Sequence, residues 1–517
     1  MTEEKQKGRY PDRVKKYALV ISILLFFYMI FFVDLDPGNV NVTRAAAVAM
    51  VMAILWMTEA IPLAATALLP VCLFPILGVM DGKEVAPLYF NSIIFLFIGG
   101  FVVALAMEKW NLHKRIALKI LLMVGTRPKR ILLGFMGSTW FLSMWVSNTA
   151  TAMMMVSIAI AVIIKFEDLY SEEKVKKFSI GLLLGVAYSA SIGGLATLIG
   201  TPPNLSLVRI YQIYFPEAPE ISFSSWFIFA FPISLTFLII VWVVLSFLFC
   251  RDNTESEAAK NIFKDEYEKL GKRSYEETMV LLVFVSMAFL WLTRSDINLG
   301  SWLFRGWASR LSDWGILSNV SFIDDGTVAI TMALILFMIP SKNGETHFKI
   351  MDWKIASKIP WHIILLFGGG FALASGFKES GLSSWIGSNL GDLGSLHPIL
   401  MIAIVCTLLT FMTELTSNTG SVEMILPILA GIAVTLNISP LLLMIPAALS
   451  ASCAFMLPVA TPPNAIVFGS GRVQIRDMVR AGIIFNLIGI VLVVIFIYLS
   501  AYVIEMDIFN MPVIESK

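Results

Sequence analysis

The sequence predicts an all-α integral membrane protein of about 11 transmembrane helices and two re-entrant hairpins, arranged as an inverted repeat. Three observations predict it. The 517 residues are 57% hydrophobic and 15% charged, more apolar surface than one water-soluble core can hide, so lipid must serve as solvent. The apolar residues are gathered into runs close to the length that crosses a bilayer. Several landmarks in the first half recur at one displacement in the second.

Spans are expected near residues 17–33, 44–59, 61–77, 91–110, 178–199, 227–250, 279–293, 327–340, 361–377, 440–457 and 481–505. The first follows a basic leader without a small-residue cleavage site and reads as a retained anchor. Two further apolar stretches, 131–164 and 398–436, are interrupted by Ser147-Asn148-Thr149 and Ser417-Asn418-Thr419. They read as hairpins that enter and leave on one side. Charge supports this reading, because Lys and Arg collect in cytoplasmic loops. With the N-terminus inside, segments 1–16, 113–130, 165–177, 251–277, 341–360 and 471–480 are cytoplasmic and hold 29 of the 38 Lys and Arg residues. Were the interrupted stretches full spans, the basic segments 165–177 and 251–277 would fall outside.

The two triplets lie 270 residues apart, and the same displacement relates Phe101 to Phe371, Ser143 to Thr413 and Pro70 to Pro340. Thr201-Pro202-Pro203-Asn204 recurs as Thr461-Pro462-Pro463-Asn464 at a displacement of 260. An odd number of spans separates equivalent points, so the second copy is inverted. The expected organisation is a leader and first span (1–43), then a first repeat over 44–250. That repeat comprises scaffold spans 44–110, hairpin 131–164 and transport spans 178–250. A cytoplasmic linker (251–277) precedes a second repeat over 278–505, with scaffold spans 279–377, hairpin 398–436 and transport spans 440–505. An external tail (506–517) follows.

Inverted repeats with broken helices at mid-membrane are the arrangement of secondary transporters, with the substrate at the repeat interface. Non-helical backbone inside a membrane is tolerated where it lines a cavity, and both Pro-Pro pairs are expected to unwind their spans. A Ser-Asn-Thr tip offers hydroxyl and amide groups, and the helix starting after it presents free N–H groups and a positive dipole end. An anion is the natural guest. Two such tips facing each other suit a ligand with two negative ends, while the same oxygens and the unwound carbonyls suit a hard cation. No Lys or Arg stands in either tip or beside either Pro-Pro pair, so bound sodium would supply the missing positive charge.

Other features carry less. Gly99-Gly100 and Gly368-Gly369-Gly370 read as close helix packing. Glu414 and Glu423, with Met144 and Met153 at the equivalent positions, read either as proton sites or as charges paired near the interface. Glu59, before Pro62, reads as part of a helix break rather than of a site. The four histidines, His113, His347, His362 and His397, fall at loops or span ends and form no metal cluster. The cysteines Cys72, Cys250, Cys406 and Cys453 stand singly, unlike a disulfide framework or zinc site. No basic stripe with interleaved aromatics suggests nucleic-acid binding.

The stretch from Ala451 through Thr461-Pro462-Pro463-Asn464 to Val467, together with the paired Ser-Asn-Thr tips, resembles the divalent anion:sodium symporter family from about residue 44 to 505. The resemblance implies substrate contacts from Ser147, Asn148, Thr149 and Thr201 on one side and Asn418, Thr419, Thr461 and Pro462 on the other. It implies one sodium site at Ser143, Ser147, Asn148 and the Gly200 carbonyl, and a second at Thr413, Thr416, Asn418 and the Ala460 carbonyl. It also implies a homodimer in the cell membrane, no organic cofactor, no enzymatic activity, and an elevator movement of residues 131–250 and 398–505 against the remaining spans. Intact tips look more like the carboxylate branch than the sulfate branch, and within the family the C4 dicarboxylates succinate, malate and fumarate are expected before citrate or sulfate. The family also contains sodium-independent exchangers, so coupling stays open. A channel would need a continuous polar pore, and an enzyme a nucleophile with its base; the sequence offers neither beside the triplets.

Overall fold

The computed structural model describes residues 11–168, 170–250, 257–299, 302–342, 349–390 and 396–502. The start of the basic leader and of the 251–277 linker, residues 503–505, the 506–517 tail and His347 lie outside the described residues.

The chain is a succession of helices. The first repeat is entered by α1 (Asp12–Phe32) and contains α2 (Val40–Thr58), α3 (Leu63–Thr66), α4 (Leu69–Leu77), α5 (Gly82–Val85), α6 (Ser92–Lys109), α7 (Leu112–Val124), α8 (Pro128–Ser143), α9 (Asn148–Glu167), α10 (Glu172–Leu195), α11 (Pro202–Tyr214) and α12 (Phe223–Phe249). After α13 (Glu257–Lys269) the second repeat contains α14 (Tyr275–Arg294), α15 (Trp307–Asp313), α16 (Asp325–Met338), α17 (Trp353–Ala356), α18 (Trp361–Ser380), α19 (Leu382–Asn389), α20 (Pro398–Leu415), α21 (Asn418–Leu436), α22 (Leu441–Ala451), α23 (Pro462–Gly469) and α24 (Ile475–Tyr502). A single antiparallel pair, β1 (Ile297–Leu299) and β2 (Trp302–Phe304), forms the one sheet among the described residues, with Ile297 opposite Phe304.

Polar caps at the expected boundaries set the helix starts. Asn91 accepts from the N–H groups of Ile93 and Ile94, and Asp324 from Thr327 N–H. Ser274 and Glu277 form a reciprocal capping box at α14, which satisfies donors that the first turn leaves free.

Eleven described helices are long and apolar enough to cross a membrane, so the protein is an integral membrane protein. Their number matches the expectation but their membership differs. Three of them, α9, α20 and α21, are arms of the expected hairpins. Three expected spans, 61–77, 327–340 and 440–457, are instead the shorter helices over Leu63–Leu77, Asp325–Met338 and Leu441–Ala451. The first of these is split between α3 and α4, and the third stops where the backbone unwinds. Helices α7 and α13, in segments read as loops, pack on the bundle's end, with Phe263 of α13 against Phe135 of α8. There Arg115 pairs with Glu277 at 3.0 Å, with both side chains nearly buried.

Repeat equivalence is visible in the packing. Arm α9 lies on α23 of the other repeat, as α21 lies on α11, and α8 packs on α10 as α20 packs on α22. The third span of each repeat packs on the second span of the other: α6 on α16, and α18 on α3 and α4. Glycines permit this closeness. A Cβ at Gly99 would lie 2.5 Å from Ala329 C, and one at Gly369 2.5 Å from Ala67 O, as the packing reading of these glycines requires.

Candidate functional site

Two interruptions in each repeat converge on one cavity. In the first, α8 ends at Ser143 and α9 begins at Asn148, while α10 ends at Leu195 and α11 begins at Pro202. In the second, the corresponding gaps separate α20 from α21 and α22 from α23. The unwound segments, 196–201 and 452–461, precede the Pro-Pro pairs rather than contain them. Pro202 and Pro462 open the following helices, where a missing N–H costs nothing and a fixed φ is already helical.

The cavity, about 370 Å³, is lined by Ser147, Asn148, Thr149, Gly200, Thr201, Thr416, Asn418, Thr419, Ala460, Thr461 and Pro462. The structure thus gathers every residue named from the sequence except Ser143 and Thr413. These two lie immediately behind the tips. The Ser143 hydroxyl contacts Asn148 Oδ1 and lies 2.6 Å from the Ala190 carbonyl. Thr413 Oγ1 lies 2.5 Å from Asn418 Oδ1 and 2.9 Å from the Ala451 carbonyl. The two arrangements are alike in kind, a hydroxyl set between a tip amide oxygen and a backbone carbonyl of the neighbouring helix.

Behind the Pro-Pro pairs, the asparagines hold the unwound backbone. Asn204 Nδ2 donates to Gly194 O (3.2 Å) and Thr197 O (2.8 Å), and Asn464 Nδ2 to Ala454 O (3.1 Å) and Leu457 O (3.0 Å). Both asparagines are fully buried. Sequence reading quoted them as part of a motif and missed this role, although their identical offset from each Pro-Pro pair signalled one. Glu414, read from the sequence as a proton site or a paired charge, accepts from Met456 N–H (2.9 Å), Leu457 N–H (3.0 Å) and Asn486 Nδ2 (2.8 Å). Glu59 does end a helix, with φ at 48°, yet it also lies on the cavity wall, as does His362. Phe97 and Phe101, with ring centroids 4.3 Å apart, form an apolar side of the cavity.

Four helix N-termini, those of α9, α11, α21 and α23, point at the cavity. Each carries a partial positive charge from its aligned peptide dipoles. No Lys or Arg lines the cavity among the described residues. Apart from Glu59 and His362 on its wall, the cavity is lined by neutral oxygens and by the positive ends of these helices. Among the described residues no group of three His, Cys, Asp or Glu side chains could hold a transition metal, and the four cysteines are unpaired.

Paired broken helices meeting at one central cavity within an apolar bundle define a membrane transporter, not an enzyme. The model of the sodium:sulfate symporter transmembrane region matches residues 14–506, and the chain belongs to this divalent anion:sodium symporter family. The sodium-dependent dicarboxylate transporter SdcS of Staphylococcus saprophyticus is 43% identical over 486 residues, covering 93% of this chain and 90% of that one. SdcS of Staphylococcus aureus shows the same identity and coverage. Among solved structures, the YdaH transporter of Alcanivorax borkumensis aligns with a TM-score of 0.49 at 13% identity, covering 82% of this chain and 87% of that one.

Proposed function

We propose that the protein is a secondary transporter of C4-type dicarboxylates, succinate, malate and fumarate, driven by sodium symport across the cell membrane. The observation that carries this reading is the doubled tip. Two Ser-Asn-Thr tips and four helix N-termini face one cavity that no Lys or Arg lines among the described residues, so a dianion there needs both ends held and its charge balanced. Ser147, Asn148, Thr149 and Thr201 take one carboxylate, and Asn418, Thr419, Thr461 and Pro462 border the other. The sodium-dependent dicarboxylate transporters that are 43% identical over 486 residues support the same choice.

Sodium occupies the oxygens of Ser143, Ser147, Asn148 and Gly200 in one half, and of Thr413, Thr416, Asn418 and Ala460 in the other. The single hydrogen of Thr413 cannot serve both Asn418 Oδ1 and the Ala451 carbonyl. Donated to the carbonyl, it leaves two oxygens side by side, a disposition a cation satisfies. The tips belong to re-entrant hairpins, the first from the cytoplasm and the second from outside, with the N-terminus cytoplasmic. Residues 131–250 and 398–505 move as a transport part against a scaffold formed by the other spans, within a homodimer.

Purified protein in otherwise empty liposomes is expected to accumulate labelled succinate under an inward sodium gradient, and not with potassium or choline in its place. The second reading, sodium-independent exchange, predicts uptake only into vesicles preloaded with a dicarboxylate. That result would end the symport reading and leave the dicarboxylate reading intact.

A further inference from the structure

Glu423 lies on α21, five residues beyond the Asn418 tip, with no exposed surface. One carboxyl oxygen contacts the Ser206 hydroxyl on α11, and Oε2 is buried without a partner. The side chain fills the notch left by Gly370 on α18, where a Cβ would lie 1.8 Å from Oε2. The carboxyl is thus wedged between α11 and α21 on one side and α18 on the other. In the division proposed above, on which this inference rests, that is the contact between transport part and scaffold.

Among the described residues no cation answers it. The basic groups on the helices packed around α21 are Arg44 on α2, Arg209 on α11, and His362 and Lys378 on α18. Arg44 donates to Asn41, Arg209 to Gln212 and Lys378 to the Ile213 carbonyl, while His362 stands on the cavity wall. The remaining titratable groups on these helices are Tyr211 and Tyr214 on α11, Glu379 on α18, and Cys406 and Glu414 on α20. None of these groups is hydrogen-bonded to Glu423.

The repeat shows what Glu423 meets when the contact opens. A displacement of 270 carries Glu423, Pro427 and Gly431, one stripe of α21, onto Met153, Ser157 and Ala161 of α9. The α21 stripe is buried and the α9 stripe is exposed, Met153 by 52%. Correspondingly, α21 packs on α18, α19 and α2, whereas α9 packs on α8, α10, α13 and α23. Inverted repeats that exchange conformations generate the opposite-facing state. In that state α9 is docked and the stripe of α21 is open.

We propose that Glu423 is a proton-binding site at this sliding contact, neutral while α21 is docked on α18 and ionised when α21 undocks. On undocking the carboxyl O–H bond breaks heterolytically, the oxygen keeps the electron pair, and the proton passes to water. Redocking takes one proton back. An unpaired charge is costly in the interior and cheap in water, so acid favours the docked state seen here and alkali the undocked one. One proton changes their ratio by about tenfold per pH unit within the titration window.

The test uses the full chain in liposomes, in a cysteine-free background. Pro427→Cys reports undocking, because it lies on the stripe that opens, and its labelling by an impermeant thiol reagent is normalised to that of Asp313→Cys, on an exposed external helix, at the same pH. The normalised rate is expected to climb about tenfold per pH unit across its window with Glu423 present, and to vary less than about twofold in E423Q. Glu423→Met, which installs the residue of the first repeat, gives the same flat profile and serves if E423Q does not reach the membrane. Equal pH slopes with and without Glu423, or no slope with it, would overturn the proposal. Labelling requires no transport, so absence of succinate uptake at every pH would count against the proposed function while leaving this test readable.

Discussion

Thr413→Ala isolates the cation half of the site. The Thr413 hydroxyl touches two groups, Asn418 Oδ1 at 2.5 Å and the Ala451 carbonyl at 2.9 Å, and its removal takes one oxygen from the second sodium position. It also frees the Asn418 amide to rotate. One hydrogen bond is worth about 0.5–1.5 kcal/mol net, and a group left unsatisfied in the interior costs about 1–3 kcal/mol. A loss of roughly 1–2 kcal/mol follows, equivalent to a rise of about 5- to 30-fold in the sodium concentration for half-maximal uptake. Ser143 is the counterpart of Thr413 in the first repeat, so Thr413→Ser keeps the oxygen in a form the fold already uses and is expected to shift that concentration less than about twofold. The assay is initial succinate uptake into liposomes as sodium is varied at saturating substrate. An unchanged sodium dependence in Thr413→Ala, at normal protein abundance, would refute the assignment of this oxygen to a cation.

Asn148→Ala and Asn418→Ala are each expected to abolish uptake without loss of membrane abundance, and Asn→Asp at either position to do no better, since added negative charge repels the dianion. Normal transport by both Ala variants would reduce the tips to packing elements. Cysteines replacing Pro128 and Tyr170 are expected to label only from the cytoplasmic face; labelling of the two from opposite faces would remove the first hairpin. Gly193→Ala places a Cβ 2.3 Å from the Trp140 carbonyl oxygen, which the backbone cannot yield cheaply. A loss of about 1–3 kcal/mol is expected as a lower thermal-unfolding midpoint of the purified protein, and an unchanged midpoint would contradict the close packing of α8 on α10.

Much of the site was legible in the sequence because it is doubled. A lone Ser-Asn-Thr triplet in an apolar run is ordinary, but two at one displacement, with two Thr-Pro-Pro-Asn motifs, specify which chain breaks are equivalent and therefore which meet. The short spans were harder. Over 61–77 the run of apolar residues continues across the gap between α3 and α4, and hydropathy does not register a break that leaves composition unchanged. The positions of the unwound segments were misjudged for a related reason: proline marks the start of the helix that follows rather than the irregular stretch before it. Pro62 accounts for Glu59 as part of a helix break, and nothing in the sequence says that a break also borders a cavity. Glu414 and Glu423 are the least legible residues, since the first repeat has methionine at both places and symmetry is silent where the copies differ.

Those differences show how the two halves solve the same mechanical problem. Each unwound segment must be tied to the hairpin beside it, or the carbonyls it offers would not stay in register with the Asn at the tip. In the first repeat the tie is the Thr197 hydroxyl donating to the Met144 carbonyl at 2.6 Å. In the second, the counterparts of these two residues are Leu457 and Glu414, and the direction of the bond is kept while side chain and backbone exchange roles: the Leu457 N–H donates to the carboxylate at 3.0 Å, joined by Met456 N–H and Asn486. A carboxylate accepting several donors is a stronger tie than one neutral hydrogen bond. It also sets an acidic group next in sequence to Thr413, beside the proposed second cation position, where the first repeat has only a thioether. The backbone of the second half is therefore held in place independently of any ion. In the first half Asn204 holds the unwound segment itself, but the tie to the hairpin is one neutral bond, so an ion bridging Asn148 and the Gly200 carbonyl would contribute more there to the order of the site than its twin would in the second half.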